Sequence, residues 1–154
     1  MKIIFLDIDG VLNYQGSQFI DTECLNNLKH IVDETGAKIV IISTWRVCMD
    51  DEYLKRYVKS PNSTLLEYKN LFNRVFTGNL RWIDIAPDLN ERRSDEIKVW
   101  LQEHNDIESF VIIDDFNVQY DINFPDNWIR PSYYIKGLTQ ELANEAIAIL
   151  GKGS

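Results

Sequence analysis

Three short apolar runs each end abruptly in acids or hydroxyls, and this pattern restricts the fold more than any other feature of the chain. Lys2-Ile3-Ile4-Phe5-Leu6 runs into Asp7-Ile8-Asp9, Lys38-Ile39-Val40-Ile41-Ile42 into Ser43-Thr44, and Phe110-Val111-Ile112-Ile113 into Asp114-Asp115. A strand with one wet face alternates apolar and polar residues, whereas an unbroken run belongs to a strand buried on both faces of a parallel sheet. Helical spacing fills the intervals. A helix is predicted from Asp21 or Thr22, with Leu25, Leu28, Ile31 and Val32 on one face and Gly36 as its stop. Another runs from about Ser94 to His104, with Ile97, Trp100 and Leu101 inward. Thr139 can cap a last helix bearing Leu142, Ala146, Ile149 and Leu150, which Gly151 ends. Trp82-Ile83-Asp84-Ile85 reads as a short strand closed by Pro87. Strands and helices alternate, so the expected fold is α/β: a Rossmann-like, mainly parallel sheet with helices on both faces.

Length and composition agree. The 154 residues suit one domain over 1–150 with a short tail at 151–154, and 45% apolar residues can build a core. Aromatic residues at 12% argue against disorder. No apolar run approaches the ~20 residues of a membrane span. The first run starts just after Met1-Lys2 and stops at acids, unlike a signal peptide. Cys24 and Cys48 form no CxxC pair and read as reduced thiols. The expectation is a soluble, cytoplasmic protein with no membrane contact. A formal charge of −8 argues against generic nucleic-acid binding by bulk charge.

In an open α/β sheet, ligands bind at the carboxyl ends of the strands. Asp7, Asp9, Asp114, Asp115 and Ser43 would therefore converge on one crevice. Four acids packed together need a counter-charge. A hard divalent cation supplies it, and an all-oxygen carboxylate site suits Mg²⁺. Mg²⁺ shares its shell with substrate phosphate, so the arrangement suits phosphoryl transfer. One carboxylate attacks phosphorus and the other, two residues on, protonates the leaving oxygen. Ser43 and a nearby cation would hold the phosphate oxygens. Thr44 is an alternative to Ser43, since a register error of one exchanges them.

Asp7-Ile8-Asp9-Gly10-Val11-Leu12 resembles the DxDGx[TV]L motif of the haloacid dehalogenase (HAD) superfamily of phosphohydrolases. Ile41-Ile42-Ser43 is similar to its second motif and Ile112-Ile113-Asp114-Asp115 to its fourth. Ser-Thr-Trp-Arg at 43–46, Arg93-Ser94-Asp95-Glu96-Ile97 and Gly137-Leu138-Thr139 resemble small HAD domains, including ones within multidomain RNA-repair proteins. The resemblance implies that Asp7 is the nucleophile, forming an aspartyl-phosphate and binding Mg²⁺. It implies that Asp9 is the general acid/base and offers its backbone carbonyl to the metal. Asp115 would ligate the metal directly, with Asp114 supporting it. The second acid, Asp9, points to a phosphatase. Two residues can supply the third-motif cation, Arg93 and Lys98. They lie about 7.5 Å apart along a helix. A βαβ helix starts near the carboxyl edge, so Arg93 is the nearer and is favoured, and Lys98 is the alternative.

The plainer readings differ residue by residue. Asp7 and Asp9 could simply end a strand and cap a loop, and Asp114 could be a solvated partner of Asp115. His30 and His104 stand alone on helices and read as surface or satisfied residues. The segment 45–81 carries seven basic residues against four acids, a charge of +3 that leaves −11 elsewhere. Tyr53, Tyr57, Tyr68 and Phe72 are interleaved with these bases. Its favoured reading is an amphipathic helical insert with solvated bases, and its functional reading is a small lid against a phosphate-rich substrate, with Lys55, Arg56 and Lys59 as the contacts. Only 36 positions separate Asp7 from Ser43, which leaves no room there for a large cap. The function expected is a Mg²⁺-dependent phosphomonoesterase acting on a phosphorylated small molecule or a nucleic-acid end. The alternatives are a non-catalytic phospho-acceptor or regulatory metal-binding domain, and a phosphatase of a small sugar phosphate.

Overall fold

The computed structural model describes residues 1–17, 20–43 and 92–152, together with the backbone of 82–85. The elements in chain order are β1 (Lys2–Leu6), α1 (Thr22–Thr35), β2 (Lys38–Ile41), β3 (Trp82–Ile85), α2 (Arg93–Glu103), β4 (Ser109–Ile113), α3 (Tyr120–Asn123), β5 (Trp128–Ile129) and α4 (Gln140–Gly151). The five strands among the described residues are all parallel, in the order β3-β2-β1-β4-β5. The expected α/β architecture is therefore present. The expected insert at 45–81, Thr44 and Cys48 lie outside the described residues.

Alternate residues of β1, β2 and β4 enter different cores, which is why these runs are apolar throughout. Ile4, Leu6, Ile39, Ile41, Val111 and Ile113 pack on one face with Leu25, Leu28 and Ile31 of α1 and Ala143, Ala146 and Leu150 of α4. Ile3, Phe5, Val40 and Ile112 pack on the other with Ile97 and Trp100 of α2 and Tyr120 of α3. On α4 the innermost residues include Ala143, while Leu142 and Ile149 flank the core half-buried. Small residues let this helix approach the sheet closely.

The helix ends follow local chemistry. Asp21 caps α1, its carboxylate accepting from Cys24 N at 3.0 Å. Gly36 closes α1 at a φ of 70°, its N–H donating to Val32 O. Thr139 caps α4 by accepting from Leu142 N. Helix α2 begins at Arg93, one residue before the expected Ser94. The two-residue β5 and the single-turn α3 are additions to the expected set, each too short to carry a period.

The register fixes the site. Leu6 is level with Ile41 on β2 and with Ile113 on β4. The next residues, Asp7, Ile42 and Asp114, therefore leave the sheet side by side. Asp7 N still donates to Ile113 O at 2.9 Å, and Ile42 N to Leu6 O at 3.0 Å. The chain winds β1-β2-β3 outward in one direction and β4-β5 in the other, so the strand order reverses between β1 and β4. Crevices form at such switch points.

Candidate active site

At the end of β1 the side chains of Asp7 and Asp9 straddle Ile8, which is fully buried in the core. Asp7 is almost completely buried, whereas Asp9 is exposed, and both line the same cleft. Leu12 N and Val11 N both donate to Ile8 O, wrapping the chain into one tight turn around Asp9 and Gly10. Gly10 has a φ of +80°, and a Cβ there would overlap the Asp115 carboxylate. Only glycine fits both demands. Asn13 locks the turn: its Oδ1 accepts from Gly10 N at 2.9 Å, and its Nδ2 donates to Asp9 Oδ1 at 3.0 Å.

Asp114, fully buried at the end of β4, is the hub of the site. Its Oδ2 accepts from Arg93 Nη1 at 2.9 Å and from the Tyr120 hydroxyl at 2.7 Å. Its Oδ1 accepts from Phe116 N at 3.1 Å, and its backbone oxygen accepts from Trp128 Nε1. Arg93 Nη1 also lies 3.3 Å from Asp7 Oδ2. Lys98 is elsewhere. It is exposed, and its Nζ donates to Asn123 Oδ1 at 3.0 Å, while Asn123 Nδ2 donates to Ser94 Oγ. That chain of contacts joins α2 to α3. Ser43 is buried at the end of β2, while Thr44 lies outside the described residues.

Asp7, Asp114 and Asp115 each offer a carboxylate oxygen within 4.8 Å of the others. Burial, and then the Asp114 charge, push the Asp7 carboxyl up to about 8 against the opposing pull of Arg93. Asp115 is also raised, chiefly by burial. Burial works against the charge on Arg93, but Asp7 and Asp114 outweigh it and hold the guanidinium above its usual value. Tyr120 is raised by burial and by Asp114, so its hydroxyl stays a donor. One arginine thus faces three acids, and the cluster keeps a proton unless further positive charge arrives. The donor set fits a hard divalent cation such as Mg²⁺. Asp7 and Asp115 are best placed to hold it, because the Asp114 carboxylate already accepts three hydrogen bonds, two from side chains and one from a backbone N–H.

The cleft above the cluster has a volume of about 360 Å³ and is lined by Asp7, Asp9, Arg92, Arg93, Asp115, Phe116 and Val118. Arg92, Asn13 and Tyr120 escape the sequence reading. Asn13 belongs to none of the motif positions, and Arg92 is hidden beside Arg93. Away from the cleft, His30 is exposed, and His104 stacks on Trp100 with ring centroids 3.7 Å apart. Cys24 is buried and its thiol is pushed up to about 12, first by burial and then by Asp21, which leaves it inert.

An acid pair two residues apart just after β1, an arginine at the start of α2 and paired acids after β4 are thus gathered at one switch point. Residues 3–143 match a family described as the HAD domain in Swiss Army Knife RNA repair proteins. The chain is a HAD domain. No curated protein and no solved structure matches it significantly. Membership makes it a HAD-type hydrolase with an acidic cluster able to take a metal. No helix among the described residues is long and apolar enough to cross a membrane.

Proposed function

We propose that this HAD domain is a Mg²⁺-dependent phosphomonoesterase that works through an aspartyl-phosphate on Asp7. The observation carrying this reading is the placement of the Asp7 carboxylate. It lies within 4.8 Å of Asp114 and Asp115, beside Arg93 and on the same cleft as Asp9. An Asp7 oxygen attacks phosphorus, and the bond from phosphorus to the ester oxygen breaks. Asp9 gives its proton to that leaving oxygen. Asp9 then takes a proton from water as the water attacks phosphorus, which frees inorganic phosphate and restores Asp7. Arg93 holds a phosphate oxygen and offsets charge in both steps. Asp7 and Asp115 would hold a Mg²⁺, which would supply positive charge to offset the carboxylates and the phosphoryl oxygens. Asn13 is a positioning residue, fixing the Asp9 carboxylate through its amide. The family's description, with its RNA-repair proteins, favours a nucleic-acid end or nucleotide over a sugar phosphate.

Phosphate release from a panel of nucleotides, phosphorylated oligonucleotides and sugar phosphates tests this reading. Asp7→Asn should lower kcat on the order of 10⁴-fold or more, as loss of a nucleophile does. Excess chelator should abolish turnover, and Mg²⁺ should restore it. Full activity in chelator, or in Asp7→Asn, would sink the proposal. Asp9→Asn should slow alkyl phosphates more than aryl phosphates, since the poorer leaving group needs the proton more.

A further inference from the structure

A second cleft, of about 520 Å³, opens beside the first and shares Asp115 and Phe116 with it. Its far wall is Arg130, Tyr133 and Tyr134. Large aromatic side chains are normally buried, yet here Phe116 is 67% exposed, Tyr134 77% and Tyr133 43%. Contiguous exposed apolar surface of this kind marks a binding site. The backbone beneath is firmly anchored. Gln15 N donates to Tyr133 O at 2.7 Å, Tyr134 N to Ser132 Oγ, and Gly137 N to Ser132 O. A Cβ on Gly137 would stand 2.8 Å from Val11 O, so this loop is seated directly on the turn that carries Asp9. Rigid backbone with exposed rings is a pre-organised surface, with little ordering cost on binding.

We infer that this cleft receives the nucleoside adjoining the scissile phosphate at the end of a single-stranded polynucleotide. The inference rests on the phosphatase reading for its phosphate and adds the group to which that phosphate is attached. A phosphate held between Asp7, Asp115 and Arg93 must send its ester substituent out of the first cleft. Past Asp115 and Phe116 that substituent enters a space lined by flat rings with a guanidinium beside them. Bases stack on such rings whatever their sequence, and a cation in the wall suits the next phosphate. Arg130 lies 5.8 Å from the centre of the Trp128 ring, and its Nε donates to Asp115 O at 3.0 Å. It thus ties this wall to the metal-binding loop. An overall charge of −8 makes a local cation beside the rings the more telling feature.

The decisive measurement is binding of a fluorescent, end-phosphorylated single-stranded RNA, followed by anisotropy in chelator so that turnover is suppressed. A matched RNA lacks the terminal base. Tyr134→Ala should weaken the base-bearing RNA roughly tenfold, the scale of one lost stacking contact. It should leave the abasic RNA unchanged. Tyr134→Trp should restore affinity, which a merely structural role for Tyr134 would not. Turnover of glycerol phosphate, which has nothing to stack, should be the same in wild type and Tyr134→Ala. Equal affinity of wild type and Tyr134→Ala for the base-bearing RNA overturns the nucleoside site and leaves the phosphatase reading standing. A phosphopeptide that binds as tightly as the RNA, and loses as much in Tyr134→Ala, overturns it in favour of a protein substrate. If no phosphate ester is turned over, the phosphatase reading fails, and the binding comparison still decides the cleft.

Discussion

In the metal-free protein Asp7 keeps its proton up to about pH 8, whereas in the unfolded chain it titrates near 3.8. Between those values the folded state binds more protons than the unfolded state, so stability falls as pH rises from about 4 to about 8. Asp7→Asn replaces the titrating group with a neutral one of the same shape. We expect the Tm of the chelated wild type to decline across that range and the variant to hold nearly constant, becoming the more stable protein at the alkaline end. Parallel declines in the two would assign the effect to another group. The same residue is the clearest case of a site legible in the sequence. An apolar run that stops at an acid pair states both its own burial and the position of the acids at its end. Asn13 and Tyr120 were not legible. Each matters through a hydrogen bond to a carboxylate, and those bonds exist only once the Gly10 turn and α3 have formed.

Helices contribute to this site by where they begin. Arg93 is the first residue of α2, at the carboxyl edge of the sheet, and Lys98 is more than a turn further along. Arg93→Ala would strip the one basic side chain ion-paired with the cluster among the described residues. Breaking a buried pair this way costs about 3–5 kcal/mol. Kinetically, KM should rise and kcat fall together, since a phosphate clamp acts in the ground and transition states alike. Lys98→Ala loses an exposed hydrogen bond to Asn123 and should change stability by no more than about 0.5 kcal/mol, with kinetics intact. Urea unfolding and steady-state assays on both variants check the ranking, and the reverse order would contradict the role given to Arg93. Longer elements were readable because a repeating apolar pattern needs several residues to declare itself. Helix α3 and strand β5 have four and two. They are held instead by Asn117 Oδ1, which accepts from Tyr120 N, and by the pairing of Trp128 and Ile129 with β4.

At the scale of the molecule the sheet separates, among the described residues, two cores that share no side chain, with Ile31 in one and Ile97 in the other. Ile31→Val and Ile97→Val should each cost about 0.5–1.5 kcal/mol. Their double variant should equal the sum within about 0.5 kcal/mol, as for sites without shared partners. Denaturant titration of the four proteins would reveal any coupling through the strands. The hub at Asp114 has a different bearing. One carboxylate gathers a guanidinium from α2, a phenol from α3 and the backbone of its own loop, and its carbonyl receives the Trp128 indole. Asp114 is thus a condition of folding before it is a condition of chemistry. A copy of this domain released from the need to catalyse would drift first at Asp9 and Asp115, which line the open cleft and are less buried than Asp114. Asp114 would persist in the fossil. To judge whether such a descendant still works, its outer acids carry the information and its innermost one does not.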